Sequence, residues 1–166
     1  MHLRLATLED LPAITAIFNS VIASSNSVYR EEQVPLSERL AWFNEKQSHG
    51  FPIIVVEESA EILGYGGYGT FRPAQGYHLT VEHTIHIAES HRGKGIGKVI
   101  LADLLDRATT AGFHTMIGAI DSENLASIAL HEKFGFTECA RIKEVAKKHG
   151  KFLDLILMQK LLSDHS

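Results

Sequence analysis

The clearest chemistry in the chain lies in one segment, Arg92-Gly93-Lys94-Gly95-Ile96-Gly97-Lys98. An apolar, strand-like run, Thr84-Ile85-His86-Ile87, precedes it, and a helical stretch from Val99 to Thr110 follows. A strand that empties through glycines into a helix start can hold phosphate. Loop amides and the first free helix N–H groups converge on one spot, and the helix dipole favours negative charge there. Glycines at alternate positions let the backbone approach a ligand with no Cβ in the way. Arg92, Lys94 and Lys98 add positive charge. The segment predicts a phosphorylated ligand, a pyrophosphate above all; a plain strand–helix turn needs one glycine rather than three.

Two common phosphate loops do not fit. A P-loop requires Gly, four residues, then Gly-Lys-Ser/Thr. Before Gly97-Lys98 the first glycine is replaced by Arg92, and after them the hydroxyl is replaced by Val99. The magnesium ligand is therefore missing. The dinucleotide fingerprint G-x-G-x-x-G opens a βαβ unit early in a fold; here the spacing is G-x-G-x-G and the segment comes late.

The surrounding pattern predicts the order β-α-α-β-β-β-α-β-α-β-β. Residues 2–6 alternate as a short strand. Thr7 and Asp10 are spaced as a capping box, before apolar residues at helical spacing from Leu11 to about Ser24. Residues 25–36 are polar and irregular, with Pro35 as a stop and Ser37 as the cap of a second helix running to Gly50. Strands are expected at 52–56 and 62–70, joined by a hairpin turn, with the second loosened by four glycines. Arg72 to Gly76 reads as a loop, and 78–88 as the strand before the glycine segment. A strand from His114 to Ile120, a helix from Ser122 or Asn124 to Phe134-Gly135, and strands at 136–141 and 152–160 complete the chain. Hairpins first and β-α-β-α later suggest one mixed sheet with helices on both faces.

With 166 residues, 45% hydrophobic and 22% charged, the chain suits one domain over 1–162 and a frayed tail at 163–166. Its net charge of −4 with no basic block argues against nucleic acid as a partner. No apolar run approaches the ~20 residues that cross a bilayer, and the N-terminus lacks a signal-peptide core. The single cysteine, Cys139, excludes an internal disulfide and fits the cytoplasm; beside Ala140 in a late strand, it is expected in the core. Ten histidines raise the question of a metal, but no H-E-x-x-H occurs, and His83 and His86 face opposite sides of a strand. No metal is expected.

Arg92, Gly95 and Gly97 match in order the acetyl-CoA motif Arg/Gln-x-x-Gly-x-Gly/Ala of the GNAT acetyltransferases, which the segment resembles. A second GNAT signature, an Asn at a helix start with a Glu-Lys-x-Gly-Phe ending, is matched by Asn124 to Phe136. The element order also resembles the GNAT fold, a central mixed, mostly antiparallel sheet with helices on both faces. Tyr77 to Thr84, Leu130-His131-Glu132, Lys148 to Asp154, Asp10 to Ile14 and Tyr29 to Glu32 are similar to the phosphinothricin and methionine sulfoximine N-acetyltransferase branch.

That resemblance implies acetyl-CoA as co-substrate, a small amino-acid-like acceptor and a homodimer. It implies that the loop from Gly93 to Lys98 holds the pyrophosphate, that Ile85-His86-Ile87 pairs with the pantetheine amides, and that Asn124 holds the arm from the other side. Asn124 also suits a helix cap. Glu82 matches the family's glutamate, a base for the acceptor ammonium, directly or through one water. A backbone N–H of Ile85 or a neighbour would meet the oxyanion. Many family members place Tyr seven residues after the Asn; His131 stands there, as acid toward the thiolate or base toward the amine. Arg72 matches the branch's substrate-loop arginine, beside Pro73 and Ala74, and a guanidinium suits a carboxylate. Arg30 is a second, weaker candidate, and His83 and Thr84 are expected to line the pocket of Glu82. With no placed cysteine, direct attack in a ternary complex is expected. A protein N-terminal or lysine acetyltransferase and a non-catalytic acyl-CoA-binding module are the rival readings. Lys147-Lys148 reads as a solvated basic pair near a turn.

Overall fold

The computed structural model describes residues 1–162; the tail expected at 163–166 lies outside them. Seven strands, β1 (His2–Leu5), β2 (Ile53–Glu58), β3 (Glu61–Thr70), β4 (Thr80–Ile87), β5 (Thr115–Asp121), β6 (Thr137–Lys148) and β7 (Lys151–Leu161), form one sheet. Their order is β1-β2-β3-β4-β5-β7-β6. Among the described residues only β4 and β5 pair in parallel; the other pairs are antiparallel. The helices α1 (Leu11–Ser24), α2 (Leu36–Ser48), α3 (Ile96–Thr110) and α4 (Leu125–Lys133) cover both faces. This is the mixed architecture the pattern predicted.

Strand alternation explains the two cores. On β2, Ile53 and Val55 join Ile14 and Ile17 of α1, Phe43 of α2 and Tyr65 of β3. Ile54 and Val56 join Ile100, Leu101 and Leu104 of α3 on the other face. With both faces covered, the run is continuously apolar instead of alternating.

The glycines of β3 pack tightly rather than loosening the strand, which is buried from Leu63 to Gly69. A Cβ on Gly66 would stand 2.5 Å from Ile100 Cγ2. The missing side chain is what lets α3 settle on the sheet. The hairpin turn at Ser59-Ala60 has both residues at positive φ, 51° and 64°, as a two-residue hairpin of matching twist requires.

Several element edges differ from expectation. α2 starts at Leu36 after Pro35, so Ser37 is inside the helix and not its cap. α3 starts three residues before Val99. The last hairpin reaches Lys148, well past residue 141. Cys139 is exposed on β6 and not in the core, because β6 is the outermost strand of the sheet.

The feature that makes a site is a parting of strands. β4 pairs with β5 only from Thr80↔Thr115 to His83↔Gly118. β5 then continues along β7 to Asp121, while β4 continues along β3 to Ile87. Among the described residues, the edge of β4 beyond His83 has no strand partner on that side.

Candidate active site

Backbone direction decides what this bare edge offers. Ala88 N–H donates to Leu63 O at 2.9 Å, toward β3. Backbone groups alternate along a strand, so the N–H groups of Ile85 and Ile87 point the opposite way, into the gap. The gap opens on a groove of about 1130 Å³. Ile85, His86, Ile87, Arg92, Gly93, Gly95, Gly97 and Lys98 line one side of it, and Asn124, Ser127, Leu130 and His131 the other.

The glycine segment closes one end of the groove. Gly93 and Gly95 have φ of 76° and 82°, left-handed values that a side chain would strain. The first α3 bond runs from Val99 N–H to Gly95 O. The N–H groups of Ile96, Gly97 and Lys98 therefore have no partner within the helix, and its positive end faces the groove. Two neighbours depart from expectation: the Ile96 side chain is buried in the core, and Lys94 does not line the groove, its Nζ lying 3.5 Å from His91. Ile96 can contribute only its backbone.

Asn124 caps α4, its Oδ1 accepting from Ser127 N–H at 3.2 Å, and it also lines the groove. Ser25, Asn26 and Ser27 form a further wall, one that sequence reasoning left as irregular loop. Lys148 holds that wall in place. Contrary to the solvated reading, it is buried. Its ammonium donates to the carbonyls of Ile22, Ser25 and Val28 at 2.8, 2.7 and 2.9 Å. Nearby, Tyr29 donates to Asp121 at 2.6 Å. No spacing in the sequence announces either contact, because the partners lie about a hundred residues apart.

His131 sits at the groove with both ring nitrogens occupied. Its Nδ1 lies 2.6 Å from Ser127 O, which only accepts, so Nδ1 carries the proton. In the neutral ring its Nε2 then accepts from His83 Nε2, 2.9 Å away. Burial pushes His131 down, and His83, fully enclosed beside it, to about 3. Neither acid nor base work by His131 has a free nitrogen in this arrangement. His83 itself belongs to this pair, with its Nδ1 buried and unpartnered. It faces away from Glu82 and Thr84, so the expectation that all three line one pocket is not met: neighbouring residues on a strand point to opposite faces.

Glu82, Thr84 and His86 share the α1–α2 face of β4. His86 packs edge-on against Phe18, at 5.6 Å between ring centroids, and against Tyr65 at 5.4 Å. Burial lowers it to about 4. Thr84 is exposed. Burial lifts the Glu82 carboxyl above its ordinary range, while Lys46 and Arg72 pull it back down. Arg72, Pro73 and Ala74 lie exposed in the loop after β3, with the Arg72 guanidinium 5.2 Å from the Phe71 ring centroid. None of these three, nor Glu82, lines the groove. Arg30 is tied to Glu38 at 2.7 Å. Nothing in the sequence marks Lys46, a lysine near the end of a polar helix.

A parted sheet beside a glycine loop and a helix start makes a groove for an extended, phosphorylated ligand, and the chain belongs to the acetyltransferase (GNAT) family, whose sequence model matches residues 14–136. It is an acetyltransferase. It is 41% identical over 158 residues to an L-methionine sulfoximine/L-methionine sulfone acetyltransferase of Pseudomonas paraeruginosa, covering 95% of this chain and 92% of that one. A phosphinothricin acetyltransferase from Sinorhizobium meliloti, solved with acetyl-CoA, superposes with a TM-score of 0.95 at 34% identity, covering 98% of this chain and 89% of that one. A ribosomal-protein-alanine N-acetyltransferase from Brucella melitensis superposes with a TM-score of 0.95 at 39% identity, covering 97% and 99%.

Proposed function

We propose that this protein, acting as one domain over 1–162, moves acetyl from acetyl-CoA to the α-amine of a small amino-acid-like acceptor, with methionine sulfoximine, methionine sulfone and phosphinothricin as acceptors. The relatives' activities support the acceptor class. The observation that carries the reading is β4 itself. Its bare edge faces the groove, and three residues earlier, about 10 Å along the strand, stands a half-buried carboxylate.

Acetyl-CoA supplies an activated acetyl thioester. The amides from Gly93 to Lys98, with Arg92 and Lys98, suit its pyrophosphate. The free N–H and C=O groups of Ile85 and Ile87 suit its amide arm as an added strand would, and Asn124 faces them across the groove. The Ile85 N–H, pointing into the groove, stabilises negative charge on an acetyl oxygen. A Glu82 oxygen takes the proton of the acceptor ammonium, directly or through one water, and partial burial moves its pKa toward working pH. The freed amine forms the N–C bond, the C–S bond breaks, and the CoA thiolate leaves and takes up the second proton that the amine nitrogen sheds. Arg72 holds the acceptor carboxylate. His131, locked to His83 and Ser127, shapes the groove. The protein works in the cytoplasm as a homodimer, for which the exposed Ile142, Val145 and Phe152 of the outer hairpin provide an apolar surface.

One relative favours a second reading, acetylation of a protein N-terminus. Thiol release from acetyl-CoA with a panel of acceptors separates the two. Fast release with methionine sulfoximine, methionine sulfone or phosphinothricin, and not with a peptide bearing a free N-terminus, is the expected result. Release with the peptide alone would transfer the function to protein acetylation. Acetyl-CoA binding with no release from any acceptor would favour a non-catalytic acyl-CoA-binding module.

A further inference from the structure

We infer that the Lys46 ammonium, seated in the space left by Gly69, is the electrostatic partner of Glu82 and a positioning residue for the transfer step. The inference rests on Glu82 being the base.

The placement follows from register. Gly69 of β3 is the cross-strand partner of Glu82, so their side-chain positions lie on the same face, about 5 Å apart. Gly69 has no side chain, and Lys46 Nζ occupies the place where its Cβ would be. A lysine from α2 thus stands where Glu82's sheet neighbour would stand. The ammonium donates to Tyr68 O at 3.3 Å and lies 5.6 Å from the Phe51 ring centroid. The carbonyl and the ring fix its position beside the carboxylate.

The other groups facing Glu82 do not duplicate this cation. β3 offers only Gly69, and β5 offers Ile117 in register. Arg72, from the loop after β3, is the second cation that Glu82 feels, and it is exposed, so water screens it more. Lys46 is half-buried and screened less. Burial disfavours the charged form of Lys46, while Glu45 and then Glu82 favour it and Arg39 opposes it; toward Glu82, Lys46 is the first cation and Arg72 the second.

The test is the acid limb of the kcat/KM pH profile with a methionine sulfoximine acceptor. In Lys46→Met the limb is expected to move up by about one pH unit. Lys46→Arg, which keeps a charge, should move it less. Gly69→Ala is an independent variant, since its new Cβ evicts the ammonium while leaving Lys46 in the chain, and it should move the limb in the same direction. Glu82→Gln should abolish the limb. If Glu82→Gln keeps the limb, the base assignment fails and takes the inference with it. If Glu82→Gln abolishes the limb but Lys46→Met and Gly69→Ala leave it in place, the inference alone fails. A raised acceptor KM at every pH with an unmoved limb would likewise overturn it, making Lys46 a ligand for the acceptor carboxylate.

Discussion

The two halves of β4 are built by different means. From Ile85 onward, the strand and the loop after it offer backbone: amides of Ile85 and Ile87 toward a gap, left-handed Gly93 and Gly95, and a helix start at Ile96. Around Glu82, the base we propose, the charged groups are side chains from separate segments: Lys46 of α2, Arg72 of a loop, and Glu82 itself. A backbone-built grip recognises a constant ligand through groups every residue possesses. A side-chain-built pocket is free to vary with the acceptor. Binding and turnover should therefore come apart under mutation.

The largest expected effect lies in the side-chain half. Glu82→Gln should lower kcat by about 10²- to 10⁴-fold, the usual worth of a general base, read by thiol release. In the backbone half, Gly95→Ala places a Cβ on a residue with φ of 82°. That strain, about 1–2 kcal/mol, should weaken acetyl-CoA about tenfold in a calorimetric titration, with the loss in KM rather than kcat.

Lys148→Met probes the Ser25 to Ser27 wall of the groove. It strips three hydrogen bonds from carbonyls at the end of α1 and the loop after it, at a cost of about 1–3 kcal/mol in unfolding free energy. KM for acetyl-CoA should rise a few-fold, because Ser25 to Ser27 lose their anchor.

The smallest effect near neutral pH comes from the histidines that flank both halves. His83 and His86 are depressed to about 3 and 4, against ~6.5 in the unfolded chain. Between those values the unfolded chain binds more protons, so stability is full above pH ~6.5 and falls as pH drops. Each contributes a loss of about 2 kcal/mol at pH 5. Denaturant midpoints against pH should show this slope, and His86→Phe should remove about half of it.

The same division explains what was legible in the sequence. Three glycines between a strand and a helix carry their meaning locally, so the loop, α3 and the sheet architecture could be read from spacing and resemblance. The parting of β4 from β5 is a register fact and leaves no local mark. Lys148 looks solvated because its partners, Ile22, Ser25 and Val28, are remote in sequence; only the fold makes it a buried anchor. Lys46 is hidden in the same way, since a lysine near the end of a polar helix is ordinarily exposed. His131 occupied an expected position, but its link to His83 leaves no local mark; both rings pack close over Gly118, where a Cβ would lie 3.1 Å from one and 3.2 Å from the other. The length of the last hairpin was missed because β6 is exposed and its alternation is weak.

The most direct measurement is the acetyl-CoA dissociation constant of Glu82→Gln, taken beside its turnover. A turnover collapse with an unchanged dissociation constant is predicted, since the groove is built from the other half of β4. A dissociation constant weakened in step with turnover would contradict the division, and with it the assignment of Glu82 to chemistry instead of binding.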